Sequence, residues 1–126
     1  MECISIIGGG LVGSALAMFL TRRGHRVTVF ERHPDLRASS AASGRSINLT
    51  LCERGLVPLG RIGVRDQIEA LGKPAYGRIM HAVDGRLSSQ PYGNRGEALF
   101  SVPRNALNAA LMTLAEERFG VRFEFD

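Results

Sequence analysis

The sequence lacks long apolar runs and any sign of a targeting segment. No window of the 126 residues approaches the roughly 18 consecutive apolar residues that a transmembrane helix needs. The start, MECISII, has neither a basic region nor a small-residue cleavage site, which argues against a secretory signal. We therefore expect a cytoplasmic location and no membrane contact from this segment.

Cysteine and lysine are both scarce. Cys3 and Cys52 form no CxxC pair and the three histidines are scattered, so we assign no metal site and expect reduced thiols. Of the 16 basic residues only Lys73 is a lysine, and the net charge is +4. Because the arginines are spread along the chain without interleaved aromatic residues, we predict a solvated surface with a few anion contacts and no nucleic-acid partner.

The first 31 residues carry the pattern of a β-α-β unit. CISII (3–7) is predicted to be a buried strand, LVGSALAMFLTRR (11–23) a helix that is almost wholly apolar, and RVTVFE (26–31) a second strand. Gly24 provides a stop after the helix. A unit of this size predicts a right-handed crossover between two parallel strands.

A dinucleotide-binding turn lies between the first strand and the helix. GGGLVG (8–13) places Gly8, Gly10 and Gly13 in G-x-G-x-x-G spacing. We expect Gly8 to allow the tight turn, Gly10 to let a pyrophosphate approach the backbone, and Gly13 to let the helix pack on the strand. Glu31 ends the second strand about 20 residues later, where an acid can accept hydrogen bonds from an adenosine ribose.

The rest of the chain is predicted to hold a long insertion followed by a third parallel strand. The elements expected are a weak helix over roughly 57–71 broken at Gly63, a hairpin over 76–93 with its turn at Asp84-Gly85, a strand over 98–102, a helix over 103–120 and a strand over 121–126. FAD and NAD(P) are both candidates for the cofactor. The long connection between strands two and three favours FAD, whose larger body needs more protein to hold it.

The stretch GRSINLTLCERG (44–55) alternates apolar and polar residues, as a half-buried strand does. Ile47, Leu49 and Leu51 are therefore predicted to lie in the core. The opposite face carries Ser46 and Asn48, with Arg45 beside them, and could meet either water or a ligand.

The same stretch resembles GRSINLALSERG of the FAD-dependent aromatic hydroxylases. YGRIMH, DGRLSSQPYG and LFSVPRNALN continue the likeness in order along the chain, and several of these segments are specific to the members that act on L-kynurenine. The resemblance implies FAD as cofactor, NADPH as co-substrate and conversion of L-kynurenine to 3-hydroxykynurenine with O2. It also implies that the flavin, and no catalytic side chain, carries the oxygen chemistry.

The resemblance assigns roles to individual residues. Arg78 and Tyr92 match a pair that holds the substrate's carboxylate, which suits a fork-shaped cation and a phenol. The residues that would bind the cofactor are Gly8, Gly10, Leu11, Val12, Gly13, Glu31, Arg32, Arg45, Ser46, Asn48 and Arg104. Three positions depart from the family pattern, namely Thr50, Cys52 and Pro103.

The expected fold is α/β, an incomplete FAD-binding Rossmann-like parallel sheet with a hairpin-bearing insertion over roughly 32–102. The later Gly-Asp motif of the family is absent from the 126 residues. We therefore expect residues 1–126 to be a partial FAD-binding domain that is not a competent hydroxylase alone. A hydroxylase of another aromatic substrate, an NAD(P)-dependent dehydrogenase and a non-enzymatic nucleotide-binding module remain open alternatives.

Overall fold

The computed structural model describes residues 1–38 and 47–126. Arg45 and Ser46, two of the predicted cofactor contacts, lie outside these residues. The described elements are β1 (Cys3–Ile7), α1 (Leu11–Arg22), β2 (Arg26–Glu31), β3 (Asn48–Leu51), α2 (Glu53–Ile62), α3 (Arg65–Glu69), β4 (Lys73–Ala75), β5 (Gly77–His81), β6 (Leu87–Pro91), β7 (Leu99–Pro103), α4 (Arg104–Phe119) and β8 (Arg122–Phe125).

A parallel three-stranded sheet has the order β1-β2-β8. Cys3 pairs with Arg26 at the start of β1, and Thr28 pairs with Arg122 at the start of β8. The predicted β-α-β unit and the third parallel strand are therefore confirmed, and β2 is the central strand. The apolar, β-branched composition of β2 fits this position, since Val27 and Val29 are buried. The prediction that residues 3–7 are buried is wrong, because β1 is an edge strand whose residues are half-buried or exposed.

The connection between β2 and β8 holds two further sheets. β3 and β4 both pair antiparallel with β7, in the order β3-β7-β4. β5 and β6 form the predicted hairpin, with Gly85 at φ +83° in its turn. The sequence pattern did not predict β4, and it gave no sign that β3 would pair with β7.

The core lies between the parallel sheet and the two long helices. α1 and α4 pack against each other over the sheet, and α2 packs against α1. The apolar stripe of α4 faces this core, because Leu107, Leu111 and Ala115 are spaced four residues apart and are all buried. None of the described helices is long and apolar enough to span a membrane.

One predicted core residue is exposed. Ile47 has 65% of its surface exposed, whereas Leu49 and Leu51 pack against the core as expected. The ladder between β3 and β7 ends with Asn48 opposite Pro103. The side chain of Ile47 lies beyond that last pair, so no strand of the described chain covers it.

The helix predicted over 57–71 begins earlier than expected. Cys52 is extended and Glu53 opens α2, which places Pro58 in the second turn, beyond the first turn where proline is best tolerated. The break at Gly63 is confirmed, with φ +79°. The Arg118 guanidinium donates to the Gly63 carbonyl at 3.0 Å, and Arg22 donates to the Arg61 carbonyl. These two bonds attach the end of α2 to α4 and α1.

Arg37 attaches the segment after β2 to α4. Its guanidinium donates to both carboxylate oxygens of Asp35, with Nε–Oδ1 and Nη2–Oδ2 each 2.8 Å, and forms an ion pair with Glu116. It also lies 5.8 Å from the centre of the Phe125 ring. The hydrogen bonds from Arg37 lower the pKa of Asp35, against an opposing effect of burial.

The pKa of Asp35 predicts a pH-dependent contribution to stability. A carboxylate whose pKa is lowered by folding contributes its full stabilisation above the ordinary aspartate pKa of about 4, and this contribution is lost as the pH falls from there through the lowered folded-state pKa. We expect Asp35→Asn to lower the urea midpoint of unfolding at pH 7 and to have less effect at about pH 3. Asp84→Asn, at the exposed hairpin turn, is the control. An equal effect of Asp35→Asn at both pH values would contradict the assignment.

Candidate dinucleotide-binding site

The glycine turn has the geometry that its sequence predicts. Gly8 adopts φ +106°, a region that favours glycine, and its N–H donates to the Phe30 carbonyl at 2.8 Å. A Cβ on Gly13 would lie 1.9 Å from the Gly8 carbonyl oxygen, whereas one on Gly10 would meet nothing within 4 Å. Gly13 is therefore required by packing, while Gly10 leaves open space at the start of α1.

The start of α1 offers unpaired backbone donors to an anion. The first N–H groups of the helix have no intrahelical acceptor, and no side chain of residues 1–38 and 47–126 caps the helix at Gly10. The positive end of the helix dipole adds to their attraction for a phosphate. A cleft of about 500 Å³ opens here and is lined by Ile6, Ile7, Gly8, Gly10, Leu11, Val12, Gly13, Leu16 and Arg104.

Glu31 is tied to the glycine turn by its carboxylate. Oε2 accepts a hydrogen bond from the Gly9 N–H at 2.7 Å, and Oε1 accepts one from the His33 N–H at 3.0 Å. Burial raises the pKa of Glu31, but these two hydrogen bonds and the nearby charges of His33 and Arg32 outweigh it, so the net shift is downward. The carboxylate is therefore held ionised, and each oxygen keeps a lone pair for a further donor.

A second cleft lies where the parallel strands end. Ile7, Phe30 and Phe125 form its apolar part, and Glu31 and Arg32 form part of its polar rim, around a volume of about 310 Å³. Ligands of open α/β sheets bind at this carboxyl edge. The Gly9–Glu31 hydrogen bond connects this cleft to the glycine-turn cleft, as expected for a ligand with a ribose and phosphates.

Arg104 reaches the glycine-turn cleft because β7 leads directly into α4. The Arg104 N–H donates to the Ile47 carbonyl at 3.1 Å, and Asn48 pairs with Pro103. The start of β3 and the start of α4 are thus held together. Asn48 is paired with Pro103, the residue before Arg104, but it does not line the cleft.

The two predicted substrate residues lie on the hairpin, away from the glycine turn. Arg78 is opposite Gln90 in the register of β5 and β6. Tyr92 lies one residue past the end of β6, where its N–H donates to the Tyr76 carbonyl at 2.9 Å. Tyr92 lines a cleft of about 480 Å³ with Arg54 and Arg95, and Arg78 is not part of that lining. The structure therefore places Arg78 and Tyr92 at the same hairpin without bringing them into one cleft, and the cofactor residues lie elsewhere in the fold.

Sequence reasoning missed three residues of these sites. Gly9 supplies the N–H that binds Glu31, Ser14 is fully buried behind the turn with Oγ 3.4 Å from the Gly9 carbonyl, and Gln90 binds Arg78. The predicted two-residue turn at Asp84-Gly85 would have set residue 78 against residue 91. The observed loop has Ala82 opposite Arg86, which sets Arg78 against Gln90, so the turn residues alone could not identify Gln90. No sequence signal distinguished Gly9 from the other two glycines of the run.

We expect alanine substitution at Gly13 and at Gly10 to have different effects. Gly13→Ala should lower the free energy of unfolding by about 1–3 kcal/mol, because the new methyl group overlaps the Gly8 carbonyl. Gly10→Ala should leave stability nearly unchanged and weaken FAD binding about tenfold, because its methyl group enters the space meant for phosphate. Urea unfolding and flavin fluorescence titration measure the two effects. Equal destabilisation by both substitutions would show that Gly10 is also a packing position.

Comparison with known proteins agrees with this geometry. The model of the family described as FAD dependent oxidoreductase matches residues 4–122. The kynurenine 3-monooxygenase of Christiangramia forsetii is 45% identical over 123 residues, which are 98% of this chain and 27% of the relative. That of Sus scrofa is 42% identical over 122 residues, which are 97% of this chain and 26% of the relative. The chain thus spans about a quarter of the length of these curated relatives.

The fold is shared with solved flavoenzyme structures. The structure of 2-methyl-3-hydroxypyridine-5-carboxylic acid oxygenase superimposes with a TM-score of 0.76 at 23% identity, over 98% of this chain and 31% of the other. The α/β fold and the resemblance predicted from the sequence are confirmed, and FAD is the cofactor of the family that matches. On the match over residues 4–122, the chain belongs to the family of FAD dependent oxidoreductases.

Proposed function

We propose that this chain is the FAD-binding part of a monooxygenase that converts L-kynurenine to 3-hydroxykynurenine with NADPH and O2. The observation that carries the proposal is the glycine-turn cleft, which joins an uncapped helix start to Arg104. The 45% identity to a kynurenine 3-monooxygenase supports the choice of reaction. When bound, FAD would supply the redox chemistry, and the side chains would bind and orient the reactants.

The chemistry of the residues around the glycine turn suits FAD. The open space beside Gly10 and the free N–H groups of α1 suit the pyrophosphate, and the ionised Glu31 suits the ribose hydroxyls. Arg104 at the rim of the cleft can donate to phosphate oxygens or approach the flavin. Arg32, Asn48 and the residues Arg45 and Ser46 remain proposed contacts.

The substrate assignment depends on Arg78 and Tyr92. L-kynurenine carries an α-carboxylate, which a guanidinium binds through two parallel hydrogen bonds. The phenol of Tyr92, which lies just past the end of β6, would donate a third. Because the α-carboxylate is not part of the aromatic ring, binding it would orient the ring without blocking it.

A hydroxylase of another aromatic acid is the second candidate. Arg78 and Tyr92 identify a carboxylate and contain no information about the ring. An NAD(P)-dependent dehydrogenase is disfavoured by the match to a family of FAD dependent oxidoreductases. An absorption spectrum of the purified full chain tests that point, since a protein that cannot be reconstituted with FAD would contradict the proposal.

Arg78→Ala in the full chain reconstituted with FAD tests the substrate assignment. We expect the affinity for L-kynurenine to fall about tenfold or more, because a charged hydrogen-bond partner is lost. The flavin spectrum should be unchanged. Arg86→Ala is the matched control, since Arg86 lies on the same hairpin and pairs with Asp84 at its exposed turn. Unchanged affinity in Arg78→Ala would exclude Arg78 as the carboxylate ligand and favour another substrate.

A further inference from the structure

Gln90 holds the Arg78 side chain from the opposite strand of the hairpin. Its Oε1 accepts hydrogen bonds from Nε at 2.8 Å and from Nη2 at 2.6 Å. The two residues face each other directly in the register of β5 and β6. Both side chains are exposed, and two hydrogen bonds to one oxygen favour a single plane for the guanidinium.

The Gln90 oxygen occupies one edge of the guanidinium and leaves the other edge open. Of the five N–H groups of an arginine, Gln90 takes one from Nε and one from Nη2. Within the part of the chain that the structure describes, the remaining three are left for a ligand. They include the parallel pair on Nη1 and Nη2, which is the pair that matches the two oxygens of a carboxylate.

The amide fixes Arg78 without neutralising its charge. Other arginines of the chain are held by carboxylates, as Arg37 is by Asp35, Arg65 by Glu53 and Arg86 by Asp84. Such a pair cancels the charge that would attract an anion. A neutral acceptor orients the guanidinium through the same hydrogen bonds but leaves its charge uncompensated, so its attraction for a carboxylate is retained.

We propose that Gln90 is a positioning residue for carboxylate recognition, which orients the Arg78 guanidinium and preserves its positive charge. The inference rests on the proposed function, in which Arg78 binds the substrate carboxylate. It adds one requirement, which is that the residue opposite Arg78 be an uncharged hydrogen-bond acceptor. Gln90 meets this requirement. An acidic residue at position 90 would compete with the substrate for the same cation.

Gln90→Glu tests the charge requirement, because the side chain keeps its shape and its acceptor oxygen. We expect the full chain reconstituted with FAD to bind L-kynurenine about tenfold more weakly or worse. Binding of the amine that lacks only the α-carboxylate should not change. Gln90→Met, which removes the acceptor without adding charge, should also weaken L-kynurenine binding. Gln67→Glu on α3 is the matched control and should behave as the wild type.

The outcomes separate this inference from the proposed function. If the wild type does not bind L-kynurenine, the proposed function fails. If the wild type binds and Gln90→Glu binds equally well, the charge requirement is wrong and the proposed function stands. Equal weakening of L-kynurenine and of the amine without a carboxylate would also overturn the inference, since the effect would then not pass through the carboxylate. Calorimetric titration gives all of these affinities, and retained flavin absorbance shows that each variant is folded.

Discussion

The hydrogen bond from the Gly9 N–H to the Glu31 carboxylate is the contact on which the candidate site depends. It holds the turn after β1 against the end of β2, and the close approach of Gly13 to the Gly8 carbonyl then fixes where α1 begins. Together these contacts aim the first N–H groups of the helix at the carboxyl edge of the sheet. An acid in this position is held ionised by the same backbone donors that it orders.

The chain between β2 and β8 supplies the cleft with a cationic side chain that the β-α-β unit lacks. The chain returns through β7 directly into α4, whose first residue, Arg104, lines the glycine-turn cleft. This placement requires α4 to be fixed relative to the sheet. Arg37 ties it to the segment after β2, and Arg118 ties it to the end of α2. Cationic side chains that contact carboxylates or carbonyls thus position Arg104, which lines the candidate phosphate site.

The sequence predicted local structure well and long-range pairing poorly. The strand and helix limits of the first unit follow from periodicity and from glycines at helix ends, which act over a few residues. The pairing of β3 with β7 joins residues 48 and 103, and no local pattern encodes it. That pairing decides that Ile47 is exposed, so alternation alone gave the wrong result there. Arg45 and Ser46 remain predictions, as do the roles of Arg78 and Tyr92.

The arginine-rich composition can now be related to individual sites. A guanidinium paired with a carboxylate is a structural connection, because its charge is already compensated. A guanidinium held by an amide, as Arg78 is, remains a site for an anion. Net charge could not separate these two classes, since both contribute equally to a total of +4. The partner of each arginine carries the functional information, and for Arg78 that partner is set by the register of the hairpin, in which the loop of residues 83–85 puts Gln90 opposite it.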